Sequence, residues 1–335
     1  MIPGVAWRLL TPPTAGAVAL IQLSGPAAEI ESAFIALGIR PVPPGHLGLR
    51  ELPGIDTLLI ARPTPQTAQL MPHGGAAVVR AVLERLTDLG IGQELGRDPR
   101  AVYPEAADRL EAEMLDALAR AASPRAVDLL LAQPARWRKS CAGLGPEALP
   151  PGPATARDRV LGRLISPPLV VALGAANIGK STLCNALAGR EVALVADEPG
   201  TTRDHVGVLI EVDGLVVRYV DTPGVREGAG PIEAEAARLA AAVVEAADLL
   251  LLCGDPSSRP PPPPSPPTRR APGSELRVCL RSDLGIGRWE RDVSVSVSLG
   301  LGVEGLARAI RERLVPQAEL ESAEPWRFWE GGSVG

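Results

Sequence analysis

The sequence predicts an α/β protein in which a doubly wound, mostly parallel sheet follows a smaller α/β domain and a short helical segment. Three observations predict the larger domain. The strand-length apolar run Leu169–Leu173 is followed by a helical pattern over Lys180–Ala188, and further apolar runs then alternate with helical patterns. The third observation is the dipeptide Asp213-Gly214, which between two apolar runs is a strong signal for a tight β-hairpin.

The first 95 residues contain local signals for a small α/β domain. Ala17–Leu23 and Thr57–Ala61 are apolar runs rich in strand-forming residues, and Gly75–Leu89 has apolar residues at helical spacing with Gly90 as its C-cap. A helix is predicted over Glu105–Ala122 from its Ala, Leu and Glu content. Pro124 interrupts this pattern, which resumes over residues 126–132.

Apolar runs and helical stripes continue through the larger domain to residue 314. Pro at its first turn supports the helix predicted over residues 231–246. The predicted strands after the first are Val206–Val212, Leu215–Val220, Leu249–Cys253 and Leu276–Leu280, and the closing helix is Val303–Leu314.

The composition is that of a globular chain. Its 335 residues are 46 % hydrophobic, and 34 basic residues against 39 acidic ones give a formal net charge of −5. This mild acidity argues against a generally basic coat for nucleic acid. No apolar run reaches the roughly 18 residues of a membrane span, so we expect a cytoplasmic location.

We expect five segments along the chain. They are a small α/β domain over 1–95, a reduced helical segment over 96–140, a linker over 141–165, the doubly wound domain over 166–316 and a tail over 317–335. A Pro-rich insertion over 255–273 interrupts the doubly wound domain and cannot be helical, because proline lacks an N–H and has a fixed φ. It is either a solvated loop or a ligand for a partner that recognises proline.

Residues 174–181 read GAANIGKS, which matches the phosphate-binding pattern G-x-x-x-x-G-K-S/T in full. The glycines let the backbone wrap around a β-phosphate, and the N-terminus of the following helix adds positive potential. Lys180, one of only two lysines in the chain, is expected to neutralise phosphate oxygens, and the Ser181 hydroxyl suits Mg²⁺. The expected contacts of this loop are Asn177, Ile178, Gly179, Lys180, Ser181 and Thr182.

Two further short motifs follow in order. Thr202, in the loop GTTRD before a predicted strand, is placed to give its hydroxyl to Mg²⁺ and its N–H to the γ-phosphate. Asp221 begins the motif DTPG directly after the next strand, where it can hold Mg²⁺ through water, and the N–H of Gly224 can sense the γ-phosphate. Three motifs in this order and strand context predict a GTPase-type switch.

A base-reading loop is predicted at Leu280-Arg281-Ser282-Asp283, where an N-K-x-D sequence would follow a strand. Asp283 can accept hydrogen bonds from guanine N1–H and N2–H. Leu280 replaces the Asn and loses its side-chain hydrogen bond, at a cost of about 1–3 kcal/mol of nucleotide binding. We therefore expect weakened guanine affinity with retained preference. The last base-contacting loop is expected at Ser296, Val297 and Ser298.

These motifs resemble the bacterial tRNA-modification GTPase family MnmE, also called TrmE. The G-domain segments are GAANIGKSTLCNALAG, VADEPGTTRD and DTPGVRE, and the N-terminal ones are TPPTAGAVALIQLSGPAA and PHGGAAVVRAVLERLTDLG. The resemblance covers about residues 1–95 and 166–314. It implies a P-loop GTPase domain preceded by a TrmE-like domain for folate binding and dimerisation, a tRNA substrate and a flavin-dependent partner enzyme.

The resemblance also implies hydrolysis of Mg²⁺·GTP activated by K⁺. Glu233 aligns with the family glutamate that orients the attacking water, although an acidic residue in the first turn of a helix is also favoured by the helix dipole alone. The implied K⁺ ligands are Asn177, Ala196, Glu198 and Thr201. The implied GTP contacts beyond the phosphate loop are Ala196, Asp197, Glu198, Pro199, Gly200, Thr201, Asp221, Thr222, Pro223 and Gly224.

Several positions depart from the family pattern. Gln22 and Gln69 stand where the family has Arg and Glu at its folate site, and the C-terminal Cys motif has no counterpart. His73 is retained, either as a site residue or as one that stabilises a turn. These departures favour an alternative function, a GTP-binding switch or scaffold without tRNA-modifying activity. RNA binding through residues 136–139, which read RWRK, is a further alternative, although a solvated basic face explains them equally well.

Overall fold

The computed structural model describes residues 2, 4–11, 16–93, 98–141, 143, 145–189, 207–221, 241–262, 273–285 and 287–329. It forms two compact units, one built on residues 1–115 and the other on residues 116–196 and 201–335. Across the described ranges, no helix combines the length and apolar character that a bilayer crossing requires.

The first unit is a six-stranded sheet with helices. The sheet order is β3-β4-β5-β2-β1-β6, antiparallel except for the β1–β6 pair. Its elements are β1 (Ala6–Leu9), β2 (Ile21–Ser24), α1 (Ala27–Ala36), β3 (His46–Leu52), β4 (Asp56–Thr64), β5 (Thr67–Met71), α2 (Ala76–Asp88), β6 (Gly92–Gln93) and α3 (Pro99–Val102), followed by α4 (Arg109–Arg120).

Alternation along β4 explains the core of the first unit. Leu58 and Ile60 are buried while Leu59 between them is exposed, because successive side chains of a strand point to opposite faces. The buried face joins Leu70 of β5 and Leu86 of α2 in one apolar cluster. The helix predicted over Gly75–Leu89 is confirmed as α2. It ends just before Gly90, which has a positive φ, as expected for a glycine at the end of a helix.

The second unit contains the doubly wound sheet. The strand order is β12-β11-β10-β7-β9-β8, parallel except for the antiparallel β8–β9 pair. Its elements are α5 (Ala126–Ser140), α6 (Ala156–Gly162), β7 (Leu169–Leu173), α7 (Lys180–Ala188), β8 (Val208–Val212), β9 (Leu215–Asp221), the helical residues 241–246 (α8), β10 (Leu249–Gly254), β11 (Glu275–Cys279), a 3₁₀ turn (Ser282–Leu284), β12 (Val293–Ser294), α9 (Val303–Leu314) and α10 (Gln317–Glu321).

The strand order predicts a ligand-binding position at the end of β7. This strand pairs with β9 on one side and β10 on the other, so the chain winds away from it in both directions. In open α/β sheets, ligands bind outside the carboxyl ends of the strands at such a switch point. Every residue of β10 is buried, as expected for a parallel strand covered on both faces.

The hairpin signal at Asp213-Gly214 is confirmed. Val212 of β8 pairs with Leu215 of β9, and the two turn residues have φ of 51° and 78°. A two-residue turn of type I′ requires positive φ at both positions, and Asp followed by Gly tolerates this better than most dipeptides.

The helical region and the chain termini of the second unit differ from the sequence expectation. The helix expected over Glu105–Ala122 begins at residue 109, and α5 continues through Pro134 to residue 140. The expected linker over 141–165 contains α6, which a reciprocal capping box between Thr155 and Asp158 begins. The expected tail over 317–335 contains α10 and a fully buried Trp326. The five-part domain division itself stays a prediction.

The Pro-rich insertion is described at its beginning and at its last residue, Gly273. Residues 255–262 form bends and irregular chain, while 263–272 lie outside the described residues. The Asp255 carboxylate accepts hydrogen bonds from the backbone and hydroxyl groups of Ser257 and Ser258. These bonds hold the first turn after β10, and the Trp289 indole donates to the Asp255 carbonyl at 3.0 Å.

Candidate nucleotide-binding site

The phosphate loop lies between β7 and α7 in a conformation that its glycines make accessible. A Cβ at Gly174 would lie 2.6 Å from the Cys253 carbonyl oxygen, so only glycine lets the loop pass the end of β10. Gly179 has a φ of 111° and directly precedes α7, and Asn177 has a φ of 60°. The loop therefore turns sharply into the helix, with the helix N-terminus facing the crevice end of β7.

Lys180 is buried inside this loop, with 6 % of its surface exposed. Its Nζ donates to the carbonyl oxygens of Gly174 and Ala175, both at 3.1 Å. Among the described residues, its hydrogen bonds thus go to neutral carbonyls rather than to a carboxylate. A buried ammonium group without a charged partner is costly, and a bound phosphate would supply the missing negative charge.

Ser181 and Asp221 come together although 40 residues separate them in sequence. The Ser181 hydroxyl donates to Asp221 Oδ2, and Asp221 pairs with Ala172 of β7 at the carboxyl end of β9. The other carboxylate oxygen, Asp221 Oδ1, is buried and has no hydrogen-bond partner within the described chain. A hydroxyl beside an unsatisfied carboxylate oxygen is the hard-oxygen donor set that Mg²⁺ prefers.

The base-reading loop contacts both the end of β10 and the phosphate loop. The N–H of Leu280 donates to the Gly254 carbonyl at 2.8 Å, and the leucine side chain is buried beside Gly179. Arg281 has a φ of 52°, and its Nη2 donates to the Asn177 carbonyl at 2.5 Å. The basic residue of this loop therefore anchors the phosphate loop, a role that the sequence reading missed although the second position of N-K-x-D signals a basic residue.

Asp283 and Ser296, from the two loops predicted to contact the base, are joined by a hydrogen bond. The Ser296 hydroxyl donates to Asp283 Oδ1 at 2.5 Å and lies 3.0 Å from the Ser298 hydroxyl. The hydrogen bond from Ser296 is the main cause that lowers the pKa of Asp283. The carboxylate that would accept from guanine is therefore ionised at neutral pH.

A tight loop supports Ser296. The Ser296 backbone exchanges two hydrogen bonds of 2.9 Å with the backbone of Leu301. The Val297 carbonyl accepts a hydrogen bond from the N–H of Gly300 at 3.1 Å. Gly302, with a φ of 78°, closes the loop where an added Cβ would overlap the Ser294 carbonyl oxygen. Glycine at this position is thus required for both its backbone angle and its lack of a side chain.

The remaining candidate residues are not all described. Of the phosphate loop, Ile178 is buried, whereas Asn177 and Thr182 are exposed. The expected contacts outside the described residues are Ala196, Asp197, Glu198, Pro199, Gly200, Thr201, Thr202, Thr222, Pro223, Gly224 and Glu233. Of the implied K⁺ ligands, only Asn177 is therefore among the described residues.

In the first unit, Gln22 and Gln69 replace the charged residues of the family pattern, and their side chains hydrogen-bond to each other. Gln22 of β2 lies directly opposite Gln69 of β5, and Gln69 Nε2 donates to Gln22 Oε1 at 3.2 Å. Gln22 is 1 % exposed. Two positions that are charged in the family pattern thus hold a neutral amide pair, of which Gln22 is buried and Gln69 is half-buried.

His73 and Asp56 hold the turn before α2. The His73 N–H donates to Asp56 Oδ2 at 2.8 Å, and the ring Nδ1 lies 2.8 Å from Asp56 Oδ1. Burial would raise the pKa of Asp56, but its hydrogen bonds with His73 outweigh this and lower it. A cavity of about 590 Å³ borders the same turn, and Arg80, Glu84 and Asp88 of α2 are among its lining residues. The geometry favours the turn-stabilising role for His73.

Comparisons with known proteins identify a GTPase domain in this part of the chain. The sequence profile described as 50S ribosome-binding GTPase matches residues 169–269. The tRNA modification GTPase MnmE of Acidiphilium cryptum is 35 % identical over 350 residues, which cover 89 % of this chain and 79 % of the relative. The MnmE protein of Methylobacterium radiotolerans is 38 % identical, over 65 % of this chain and 61 % of the relative.

A crystal structure of Aquifex aeolicus Era bound to GDP·AlF₄⁻ is 22 % identical over 44 % of this chain and 56 % of that chain, with a TM-score of 0.35. The α/β fold with a P-loop GTPase domain that the motifs predict is confirmed by the matching GTPase profile and by the parallel sheet. Because its identity to the Acidiphilium relative extends over most of both proteins, the chain belongs to the MnmE family of tRNA modification GTPases.

Proposed function

We propose that this GTPase binds Mg²⁺·GTP in the loop of residues 174–181 and hydrolyses it with assistance from K⁺. The contact between Ser181 and Asp221 carries the proposal, because it joins two motifs that the sequence predicts separately as metal-binding. These two residues would hold Mg²⁺, which when bound neutralises charge on the β- and γ-phosphates. Thr202 is proposed as a further Mg²⁺ ligand.

Lys180 and Glu233 have the catalytic roles in this proposal. The Lys180 ammonium, now held by two carbonyls, would exchange those bonds for phosphate oxygens and stabilise charge that develops during transfer. Glu233 would orient the attacking water. Asn177 would be the side-chain ligand of K⁺, with Ala196, Glu198 and Thr201 supplying the others, and K⁺ adds positive charge beside the phosphates.

Asp283 would select guanine. Its carboxylate is ionised and oriented by Ser296, so it can accept from both N–H groups that distinguish guanine from adenine. Leu280 cannot add the second side-chain bond of this loop. The proposal is therefore a guanine preference that depends on a single carboxylate.

The two lysines of the chain allow a matched test of the site. Lys180→Ala should weaken fluorescent GDP binding by more than about 100-fold, because the phosphate charge loses its buried partner. Lys139→Ala removes the same charge from the last turn of α5 and should leave binding unchanged. Equal affinities for wild type and the Lys180 variant would contradict the site assignment.

The K⁺ role is tested by GTP turnover in KCl and in NaCl at equal ionic strength. Wild type should be faster in KCl, and Asn177→Ala should lose that difference while still binding GDP, since Lys180 and the loop backbone remain. Equal rates in the two salts for wild type would remove K⁺ from the mechanism. Glu233→Gln should slow turnover and leave GDP binding intact.

Family membership links the proposed GTPase to modification of the tRNA wobble uridine in the cytoplasm, which the family would perform as a homodimer with a flavin-dependent partner enzyme. The MnmE relatives are tRNA modification GTPases by name, and the chain spans 61 % to 79 % of the length of the two described above. A neutral Gln22–Gln69 pair favours the alternative of a GTP-binding switch or scaffold, because it offers no charge to a folate derivative.

Complementation of a bacterial strain lacking its MnmE protein separates the two functions. We expect no restoration of the modified uridine, because the amide pair removes the charges of the one-carbon site. Restored modification would support the tRNA-modifying function and contradict the switch alternative. A GTPase-deficient Lys180→Ala chain is the control, since restoration by it would mean that nucleotide turnover is not needed.

A further inference from the structure

The tip of the β8–β9 hairpin is held by two arginines from outside the hairpin. Arg125, directly before α5, donates from Nε to the Asp213 carbonyl at 2.6 Å and from Nη2 to Asp213 Oδ1 at 3.2 Å. Arg311 of α9 donates from Nε to Asp213 Oδ2 at 2.8 Å. Each carboxylate oxygen of this turn residue therefore binds a different helix region.

Two more contacts fix the same tip. The N–H of Val216, at the start of β9, donates to the Ser123 hydroxyl at 3.0 Å, and Ser123 is 1 % exposed. A Cβ at Gly214 would lie 2.6 Å from Arg125 Nε, so the arginine side chain lies directly against the glycine. The turn needs glycine for its positive φ and also for the space that Arg125 occupies.

The side chains at the tip are shielded from water to different degrees. Arg311 is 9 % exposed, Asp213 24 % and Arg125 36 %. Burial would raise the pKa of Asp213, but the hydrogen bond from Arg311 and the charges of both arginines outweigh it and lower the pKa. The carboxylate is thus ionised at neutral pH. Arg311 is the more buried of the two arginines, and it also pairs with Glu312 and donates to the Val315 carbonyl at 3.2 Å.

The opposite end of the hairpin carries the nucleotide site. β9 runs from Leu215 to Asp221, about 20 Å at 3.3 Å per residue, and β8 follows the segment that contains Thr202. Asp221 pairs with Ala172 of β7 and accepts the Ser181 hydroxyl. A shift in the register or twist of β9 would therefore move the Asp221 carboxylate relative to Ser181.

We propose that Asp213, Arg125 and Arg311 form a positioning cluster that sets the β8–β9 hairpin against β7 and, through it, the Asp221 carboxylate opposite Ser181. The helix regions at α5 and α9 thereby influence Mg²⁺-dependent nucleotide binding from the far end of the sheet. The inference rests on the proposed metal role of Ser181 and Asp221. None of the three cluster residues contacts the nucleotide loops themselves through the bonds described above.

The test compares GDP release with and without Mg²⁺. Asp213→Asn keeps the turn, since Asn tolerates positive φ, but it removes the charge that both arginines share. Release of fluorescent GDP in excess Mg²⁺ should become about tenfold faster, the factor expected for loss of one charged hydrogen bond, while release in EDTA should stay within about twofold of wild type. Arg311→Lys should fall between wild type and the Asp213 variant.

A matched control separates positioning from general stability. Glu319→Gln breaks the Arg157–Glu319 ion pair, whose Nε–Oε2 distance is 3.0 Å, and leaves the hairpin untouched. It should lower the melting temperature slightly and leave both release rates unchanged. If Asp213→Asn does not fold, Arg125→Lys tests the same point, because lysine keeps the charge but cannot reach carbonyl and carboxylate together.

The outcomes distinguish this inference from the proposed function. Release from wild type that does not respond to Mg²⁺ would contradict the metal role of Ser181 and Asp221, and this inference with it. A Mg²⁺ response that is strong in wild type and undiminished in Asp213→Asn would overturn the inference alone. Equal acceleration in Mg²⁺ and EDTA would also overturn it, because a structural loss would then act on the whole nucleotide pocket.

Discussion

Two glycines three residues apart should respond in opposite directions to the same substitution. Gly302 closes the base-contacting loop at the start of α9, and Gly305 lies within the first turn of that helix. We consider Gly302→Ala and Gly305→Ala, each of which adds one methyl group. The local surroundings of the new Cβ decide the sign of each effect.

At Gly302 two costs add. Its φ of 78° is a left-handed conformation that costs a non-glycine residue about 1–2 kcal/mol. The new Cβ would overlap the Ser294 carbonyl oxygen and lie 3.2 Å from Val295 Cα, so backbone rather than a flexible side chain must move. Overpacking of this kind costs about 1–3 kcal/mol. The free energy of unfolding should therefore fall by about 2–5 kcal/mol.

At Gly305 the same methyl group has open space. Apart from the neighbouring backbone of α9 itself, no heavy atom of the described residues lies within 4 Å of the Cβ position. Alanine loses less backbone entropy than glycine when a helix forms, so the free energy of unfolding should rise by about 0.5–1 kcal/mol. This variant is the internal control for the first.

The Gly302 variant should also affect nucleotide binding. The overlapped backbone leads directly into Ser296, whose hydroxyl orients Asp283. Denaturant unfolding measures stability, and titration of fluorescent GDP against its adenine counterpart measures base preference. A destabilisation below about 1 kcal/mol at Gly302, or one of equal size at Gly305, would refute the steric argument. Unchanged guanine preference in a destabilised Gly302 variant would refute the link to the base.

Three further outcomes are expected. Leu280→Asn should strengthen GDP binding about tenfold over ADP because the amide adds a hydrogen bond near the base, and an equal gain for ADP would contradict this. Ser296→Ala removes the main bond that lowers the pKa of Asp283, so guanine binding should be lost at a higher pH than in wild type as the solution is acidified; superimposable pH profiles would exclude this role. Burial alone would raise the pKa of Asp255, but the hydrogen bonds that Ser257 and Ser258 donate to its carboxylate outweigh this effect. The folded pKa therefore lies below the unfolded value of about 3.9. Its contribution to stability is therefore present above that unfolded value and is lost as the pH falls through the lower folded pKa, so unfolding of Asp255→Asn should depend less on pH between about 5 and 2.

Local sequence patterns correctly predicted several helices and strands of the second unit. The limits of β7, α7 and α9 agree with the predicted residues, because a buried strand, a glycine-rich turn and an amphipathic stripe are each encoded within about a dozen neighbours. The same holds for the hairpin at Asp213. The phosphate loop could also be predicted from a short stretch of sequence, because its pattern specifies glycine, lysine and serine at fixed spacing.

Predictions were weakest where capping or distant packing determines structure. The linker expected over 141–165 contains α6, whose start depends on a capping box that a Pro- and Gly-rich composition obscured. The expected tail includes the buried Trp326, whose backbone N–H donates to Gln133 Oε1 of α5 at 2.7 Å, across 193 residues of sequence. The bond from Trp326 to Gln133 leaves no mark in a short window of sequence, whereas the capping box of residues 155–158 is a local signal that was overlooked.

By itself, the sequence determined which residue types are available for phosphate, metal and guanine, and in what order along the chain. Only the tertiary structure decided which of them meet. The bond from Ser181 to Asp221, the tie from Arg281 to Asn177 and the cluster at Asp213 all join segments 40 to 104 residues apart. Strand order and register set those contacts, and both follow from burying apolar faces over the whole unit, because a one-residue slip would turn every core side chain outward.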